Sequence, residues 1–183
     1  MKDLSKIDNT WTLFLDRDGV INEEKHEDYI HKWDEFKFYK GVKEALAVFN
    51  KKFGKIFIVT NQRGVGKGLT KMEDLAIIHK NMLAEIIEAG GRIDKLYFAI
   101  DLENDSPNRK PSPGMGLQAK LDFPDIDFSK SIMIGNTISD MKFGRNLGTA
   151  INIFLPTTRK DVDINDENID FVFESLISVA MAL

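Results

Sequence analysis

The sequence predicts an α/β fold in which one parallel β-sheet carries helices on both faces. Short apolar runs rich in Ile, Val and Phe alternate along the chain with segments whose apolar residues recur at helical spacing. The runs are apolar at consecutive positions, which is typical of strands buried on both faces. Alternating strands and helices favour right-handed crossovers between parallel strands. The length of 183 residues fits one domain spanning 1–183.

Each predicted element follows from its local pattern. The strands are expected at 11–15, 55–60, 96–100, 131–134 and 150–154. Helices are expected at 41–53, 72–89, 113–121 and 138–147, with Gly90-Gly91 and Gly148 as stop signals, and a last helix from Asn168 onward. The stretch 17–39 is long, polar and aromatic, and predicts a small flap over the site rather than a large cap domain.

The composition excludes several kinds of chemistry. The chain has no Cys, which removes disulfides, thiolate zinc sites and Cys nucleophiles. The net charge of −4 argues against a nucleic-acid partner. Residues 1–10 are polar, and no apolar run reaches the ~20 residues that span a bilayer. We therefore expect a cytoplasmic monomer without a membrane or nucleic-acid partner.

Two carboxylates follow the first predicted strand. In open parallel sheets the ligand lies at the carboxyl ends of the strands, so residues at these positions carry the most information. Asp16 and Asp18 would share one small space there, which is costly unless a cation or a proton compensates. A solvated Asp-Gly turn is the alternative interpretation.

The segment 60–68 follows the second strand and combines a hydroxyl, glycines and cations. Thr60, Arg63 and Lys67 could neutralise an anion, while the glycines would let main-chain amides approach it. The spacing differs from that of a Walker loop. A flexible glycine-rich loop without a ligand explains the same residues.

Two further clusters follow the third and fourth strands. Arg109 and Lys110 lie on a proline-stiffened turn, which could also be a plain basic surface turn. Asn136 lies at a strand end with Asp140 about one helical turn later, where an N-cap and a first-turn acid are the alternative. Together the four clusters supply a nucleophile, an acid or base, a cation and oxygen ligands, the equipment of phosphoryl transfer.

These motifs resemble the haloacid dehalogenase (HAD) superfamily of phosphohydrolases. Within it, the sequence is similar to the group of histidinol-phosphate and heptose-bisphosphate phosphatases. The segments that carry the resemblance are 15–22 (LDRDGVIN), 29–31 (YIH), 60–62 (TNQ) with 66–68 (GKG), and 109–111 (RKP) with 113–115 (PGM). The resemblance implies a Rossmann-like HAD fold and covers most of the chain.

The resemblance also implies a role for each matching residue. Asp16 would form an aspartyl-phosphate, and Asp18 would protonate the leaving oxygen and then activate water. Thr60, Asn61 and Lys110 would bind the phosphoryl group. Arg63 and Arg109 would bind the substrate or a second phosphate, and the flap with Tyr29 and His31 would help select the leaving group. Magnesium would bind at Asp16, Asp18, Asn136 and Asp140.

Two features depart from the family pattern. The family has Asp where this chain has Asn136, which removes one negative charge from the metal site; Asp140 could rotate in to replace it. Related phosphatases often carry a Cys/His zinc site before the third motif, but residues 99–108 contain neither residue type. We therefore expect magnesium and no zinc.

The sequence thus predicts a magnesium-dependent phosphatase of carbohydrate metabolism acting on a small phosphate ester, with D-glycero-D-manno-heptose 1,7-bisphosphate as one candidate. The alternatives are a histidinol-phosphate phosphatase, a polynucleotide 3′-phosphatase, and a weakly active or non-catalytic phosphate-binding protein because of Asn136. Of the three histidines, His79 is expected to be structural, and His26 and His31 are expected to lie on the flap.

Overall fold

The computed structural model describes residues 2–25, 28–159 and 161–183. Its centre is a six-stranded sheet in which all strands are parallel, in the order β3-β2-β1-β4-β5-β6. The strands are β1 (Thr12–Leu15), β2 (Lys55–Asn61), β3 (Lys95–Ala99), β4 (Ser131–Gly135), β5 (Ile151–Phe154) and β6 (Phe171–Val172). The helices are α1 (Val42–Lys52), α2 (Arg63–Gly66), α3 (Met72–Glu88), α4 (Gly114–Asp122), α5 (Ile138–Leu147) and α6 (Leu176–Ala182). The predicted fold class is confirmed.

The two faces of the sheet have separate cores because successive strand residues point to opposite sides. Leu13 and Leu15 of β1 join the core under α1, α3 and α6. Phe14, between them, joins the core under α4 and α5. All three side chains are fully buried. The consecutive apolar positions in the sequence are therefore explained by helices on both faces.

The end of the chain differs from the sequence-based expectation. A helix was expected from Asn168, but Phe171 and Val172 first pair with Ile153 and Phe154 of β5 as an edge strand. The last helix begins only after Ser175, whose side chain caps the main-chain N–H of Ser178. Main-chain pairing at the free edge of the sheet overrides the weak helical pattern of this segment.

The flap between β1 and α1 is short and packs onto α3. It contains single bridges between Asp18 and Asn22 and between Asn22 and Phe38, and a 3₁₀ turn at Trp33–Glu35. The Trp33 and Phe36 rings stack with centroids 5.0 Å apart. His26, which was expected on this flap, lies outside the described residues. Across the described ranges no helix is long and apolar enough to cross a membrane.

Candidate active site

Four strand ends bring predicted site residues together where the strand order reverses, between β1 and β4. Asp16 follows β1, Thr60 lies at the end of β2, Lys110 follows β3, and Asn136 follows β4. All four line one open cleft of about 380 Å³. Ligands of open parallel sheets bind at this topological switch point. The four loops therefore converge in the structure, as the sequence predicts.

Lys110 connects two buried carboxylates at the bottom of the cleft. Its Nζ lies 2.8 Å from Asp16 Oδ1 and 2.6 Å from Asp140 Oδ1. The Lys110 side chain is only 2% exposed. Burial alone would lower the Lys110 pKa, but the charges of Asp140 and Asp16 raise it above its ordinary value. Lys110 is thus a fixed positive charge beside Asp16.

The pKa of Asp16 is raised well above its ordinary value. Burial, reinforced by the neighbouring Asp140 charge, raises the Asp16 pKa from 3.8 to about 7, although Lys110 acts against the rise. Oδ1 accepts a hydrogen bond from the main-chain N–H of Arg17 at 2.7 Å. An additional cation in the cleft would favour the ionised form of Asp16, which a nucleophile requires.

Asp18 has the opposite environment, although it lies only two residues away. Arg17 donates to both its oxygens, from Nη2 at 2.8 and 2.9 Å and from Nε at 3.2 Å. Asn22 Nδ2 and Gln62 Nε2 donate at 2.9 and 2.8 Å. Burial opposes ionisation, but Arg17 and these donors hold the Asp18 pKa below its ordinary value. Asp18 is therefore a carboxylate, the form in which it can act as a base.

Arg17 and His79 lie behind Asp18, and the sequence did not suggest their contact. Arg17 is 1% exposed, and its Nη1 lies 3.0 Å from His79 Nε2. Burial, together with the Arg17 charge, lowers the His79 pKa from 6.5 to about 3, so the imidazole is neutral. No spacing rule connects two residues 62 positions apart, and only the packing of α3 on the flap brings them into contact.

Asp140 holds the loop after β4 together. Its Oδ2 accepts from Thr137 Oγ1 at 2.7 Å and from the main-chain N–H groups of Thr137 and Asn136 at 3.0 and 3.2 Å. Thr137 in turn caps α5, so the pair forms a capping box. Asp140 thus uses Oδ2 for the cap and Oδ1 for Lys110, so neither oxygen is free to replace the missing carboxylate at Asn136. Direct binding of a metal by Asp140 stays a prediction.

The side-chain oxygen of Asn136 accepts no hydrogen bond from the described residues. Its Nδ2 donates to Thr158 Oγ1 at 2.6 Å and lies 3.3 Å from Glu24 Oε2. Its Oδ1 is buried and has no hydrogen-bond partner in the described part of the chain. Gly19, at φ +82°, leaves room for this amide, since a Cβ there would lie 1.9 Å from Nδ2.

The donor set fits a hard cation such as Mg²⁺. Within the described ranges, no three His, Cys, Asp or Glu side chains are arranged as a metal site. Carboxylate and carbonyl oxygens are nevertheless the ligands that Mg²⁺ prefers, and it usually keeps several waters. Asn136, whose buried Oδ1 has no hydrogen-bond partner among the described residues, lines the same cleft as Asp16. These two residues supply the side-chain ligands that the geometry offers.

The Asn61 side chain forms two hydrogen bonds with the main chain of Lys110. Its Nδ2 donates to the Lys110 main-chain oxygen at 3.1 Å, and its Oδ1 accepts from the Lys110 main-chain N–H at 3.0 Å. Both polar atoms of the Asn61 side chain thus hold the Lys110 main chain. Direct phosphate binding by Asn61 stays a prediction. Thr60 keeps its predicted position, because its Oγ1 accepts from Gln62 at 2.9 Å and its own O–H remains able to donate.

The glycine-rich segment 60–68 is built differently from the expected phosphate cradle. Its glycines serve close packing: a Cβ at Gly64 would lie 2.8 Å from the Tyr29 ring, and one at Gly66 would lie 2.0 Å from the Ile100 main-chain oxygen. Lys67 is exposed and lies 5.5 Å from the centre of the Tyr29 ring, away from the cleft. Only Arg63, of the two cations expected here, lines the cleft.

Arg63 and Arg109 both line the cleft, and together they form a positively charged wall, called the arginine wall below. Burial, followed by repulsion from Arg63, lowers the Arg109 pKa, so the two guanidinium groups affect each other. The Nε atoms of both are buried and have no hydrogen-bond partner among the described residues. Arg109 Nη1 donates to the Leu102 main-chain oxygen at 2.7 Å, which holds it in place.

The flap contributes Tyr29 to the cleft but not His31. Tyr29 lines the cleft and packs on Gly64. The His31 ring instead contacts Thr70 Oγ1 through Nδ1 at 2.8 Å and Asp28 Oδ1 through Nε2 at 3.2 Å. His31 therefore ties the flap to the loop before α3, and its expected part in selecting the leaving group is at most indirect.

Comparisons with known proteins show the family to which the chain belongs. The family model described as Polynucleotide kinase 3 phosphatase matches residues 12–177. A D-glycero-alpha-D-manno-heptose-1,7-bisphosphate 7-phosphatase of Campylobacter jejuni is 39% identical over 154 residues, covering 84% of this chain and 87% of the relative. The beta-anomer enzyme of Haemophilus influenzae is 29% identical over 178 residues, covering 93% and 95%.

Solved structures agree on the fold. The D,D-heptose 1,7-bisphosphate phosphatase from B. bronchiseptica, complexed with magnesium and phosphate, has a TM-score of 0.80 at 23% identity, covering 93% of this chain and 96% of its own. A HAD-like phosphatase from Mesorhizobium loti has a TM-score of 0.78 at 25% identity, covering 96% and 86%. The similarity to HAD phosphatases inferred from the motifs is confirmed.

Proposed function

This chain belongs to the polynucleotide kinase 3 phosphatase family of HAD-type phosphatases, and from that premise we propose that it removes the 7-phosphate of D-glycero-D-manno-heptose 1,7-bisphosphate through an aspartyl-phosphate on Asp16. Relatives named for the alpha anomer are 36–39% identical to the chain, and those named for the beta anomer 29–34%. The alpha anomer is therefore the first substrate to test.

The observation that carries the proposal is the Lys110 bridge at the bottom of the cleft. A buried Lys within 2.8 Å of Asp16 favours the ionised nucleophile and can neutralise phosphoryl oxygens. Asp140 fixes that Lys from the other side at 2.6 Å. A purely structural ion pair would not need to face an open cleft that also contains Thr60, Arg63 and Arg109.

In the first step, an Asp16 carboxylate oxygen attacks phosphorus and the bond from phosphorus to the ester oxygen breaks. Thr60 and Lys110 hold phosphoryl oxygens while the charge moves towards the leaving group. The leaving alkoxide takes a proton from Asp18, which must first be protonated and partly released from Arg17, because the present contacts favour its ionised form.

In the second step, water hydrolyses the aspartyl-phosphate. Asp18 takes the proton of the attacking water, the new P–O bond forms, and the Asp16 carboxylate leaves with the electron pair of the broken acyl-phosphate bond. The ionised, five-fold hydrogen-bonded Asp18 of this structure is the form that this step needs.

We propose that Asp16, Asn136 and the main-chain carbonyl of Asp18 would hold magnesium. When bound, it supplies charge neutralisation for the phosphoryl oxygens. Because Asn136 carries no charge, we expect weaker magnesium binding than with a carboxylate; a unit charge pair at about 4 Å and a dielectric near 20 is worth up to ~4 kcal/mol.

Calorimetric titration of the substrate-free protein with Mg²⁺ tests this assignment. Asn136→Asp is expected to tighten binding, and Asn136→Ala to weaken it because the orphaned oxygen is lost. Ser139→Ala is the matched control, since Ser139 lines the same cleft but makes no contact that the assignment uses. Equal affinities of wild type and Asn136→Ala would contradict the assignment.

The second phosphate of the substrate is assigned to Arg63 and Arg109. A phosphate between the two guanidinium groups would accept hydrogen bonds from their orphaned Nε atoms and relieve their mutual repulsion. A monophosphate would leave these donors buried and unsatisfied, which costs about 1–3 kcal/mol for each group. The arginine wall therefore favours the binding of a bisphosphate over that of a monophosphate.

The decisive experiment measures phosphate release from a panel of esters with Mg²⁺. The panel contains both anomers of the heptose bisphosphate, the heptose 1-phosphate, histidinol phosphate and a 3′-phosphorylated oligonucleotide. The oligonucleotide tests the activity for which the family is described.

The Asp16→Asn variant tests the nucleophile. It is expected to lose about 10³-fold or more in kcat, as for other removed nucleophiles. Activity of Asp16→Asn equal to wild type would exclude the proposed chemistry, and a preference for the oligonucleotide would exclude the sugar substrate.

A further inference from the structure

We propose that His79 is a positioning residue for this reaction: its neutral ring holds the Arg17 guanidinium, which in turn holds the Asp18 carboxylate in the cleft. The inference rests on the proposed function, because Asp18 matters only if the chain is a phosphatase.

The first argument is the division of the donors of Arg17. The Nε and Nη2 atoms face Asp18, at 3.2 Å and at 2.8–2.9 Å, and so form a two-pronged contact with one carboxylate. The Nη1 atom points the other way and lies 3.0 Å from His79 Nε2. The guanidinium is planar, so fixing Nη1 also fixes the orientation of the edge that faces Asp18.

The second argument is that His79 must accept this hydrogen bond. A guanidinium only donates, so Nε2 has to carry a lone pair and the ring proton has to be on Nδ1. A charged imidazole would put a second cation against the buried Arg17. The low pKa of His79, caused first by burial and then by the Arg17 charge, agrees with this neutral form.

The third argument is that His79 is the one polar residue among the buried residues of α3. Most residues on the inner face of α3 are apolar and fully buried, such as Ile78 and Met82. His79 is buried on the same face, 8% exposed, with its ring 5.6 Å from that of Phe98. Its Nε2 lies beside Arg17, and this is the one side-chain hydrogen bond of His79 within the described ranges.

Loss of the acceptor has a specific consequence. Without His79, Arg17 Nη1 becomes a buried donor without a partner, and the guanidinium is free to turn away from Asp18. Asp18 would then be misplaced for taking the proton of the attacking water in the second step, while Asp16, Lys110, Arg63 and Arg109 would stay intact. The expected effect is on kcat and not on substrate binding, since misaligned supporting residues typically cost about 10–100-fold.

Steady-state kinetics on a phosphomonoester that the wild type hydrolyses test this directly. His79→Leu is expected to lower kcat about 10-fold with KM within about 2-fold of wild type. His79→Gln, whose side-chain oxygen can accept from Arg17, is expected to recover most of kcat. Ile78→Val, one position away on the same helix, controls for disturbed packing and should leave kcat unchanged.

The outcomes separate the two proposals. An inactive wild type, with Asp16→Asn equally inactive, would overturn the proposed function. An active wild type with an unchanged kcat in His79→Leu, or with equal losses in His79→Leu and His79→Gln, would overturn the role of His79.

A measurement on the wild type covers the case in which His79→Leu does not fold. Long-range ¹H–¹⁵N spectra of the histidine rings should give a neutral His79 with its proton on Nδ1 at pH 7. A proton on Nε2, or a charged ring, would overturn the inference.

Discussion

The bottom and the rim of the cleft are built on different principles. The bottom consists of Asp16, Thr60, Lys110, Asn136 and Asp140. Four of these residues lie at strand ends or in the first turn of a helix, and Lys110 lies in the loop between β3 and α4. The rim consists of the flap with Tyr29 and His31 and the loops with Arg63 and Arg109. The bottom residues are all at most 8% exposed, whereas each rim residue is partly exposed.

The difference lies in how each side chain is held. Lys110 is fixed by two carboxylates and by both polar atoms of the Asn61 side chain. Arg109 is held by one hydrogen bond to a carbonyl and keeps an unsatisfied Nε. The bottom is thus pre-organised for the reacting phosphate, while the rim keeps unused donors for the rest of the substrate. Mutations at the bottom should therefore affect kcat, and mutations at the rim should affect KM.

The largest effect is expected from Lys110→Met. It removes the cation between two buried carboxylates, so kcat should fall about 10²–10³-fold, as for the loss of a phosphoryl-stabilising donor. The free energy of unfolding should fall by about 3–5 kcal/mol, because two carboxylates are left without their partner. Kinetics and urea unfolding of the same preparation measure both.

Lys55→Met is the matched control for Lys110→Met. It removes a Lys whose ion pair with Asp125 lies at the surface, at 2.5 Å, with the Asp125 side chain 69% exposed. Such pairs contribute about 0–1 kcal/mol, and kcat should not change. If Lys110→Met behaved like Lys55→Met in both measurements, the division into bottom and rim would be wrong.

The same division explains which parts of the site the sequence could predict. Strand ends of a parallel sheet share one edge by topology, so the convergence of Asp16, Thr60 and Asn136 followed from the strand pattern. Lys110 reaches the same edge from the loop after β3. The positions of Lys67 and His31 depend on how two irregular loops pack on each other, through Gly64 and Tyr29. Local sequence does not encode such contacts.

Arg17 and Asn61 show a second limit of the sequence. Both lie within motifs that the sequence makes obvious, so their proximity to the site was predictable. Their partners, His79 and the main chain of Lys110, are 62 and 49 positions away. The sequence indicates that both residues lie near the site, but it does not show which protein groups their side chains bind.

At the rim, Arg109→Met is expected to raise KM for the heptose bisphosphate while leaving kcat within about 2-fold. Hydrogen bonds to a charged group are worth about 1.5–3 kcal/mol, which corresponds to a rise in KM of about 10–100-fold. The matched control is a monophosphate that lacks the distal group, for which wild type and variant should have similar KM values. A fall in kcat with unchanged KM would instead place Arg109 with the bottom residues.

The smallest effect is expected from removing the hydrogen bond between His31 and Thr70 at the rim. His31→Ala removes the contact to Thr70 Oγ1, so the free energy of unfolding should fall by about 1 kcal/mol, and KM should rise by no more than about 3-fold. Thr70→Val removes the other partner, and urea unfolding of both single variants and the double variant gives their coupling energy. Because the two side chains contact each other directly, the effects should be non-additive by about 0.5–1.5 kcal/mol. Additive effects would mean that the hydrogen bond between His31 and Thr70 does not stabilise the flap. A loss of kcat as large as that of Lys110→Met would mean that His31 acts on the reacting groups.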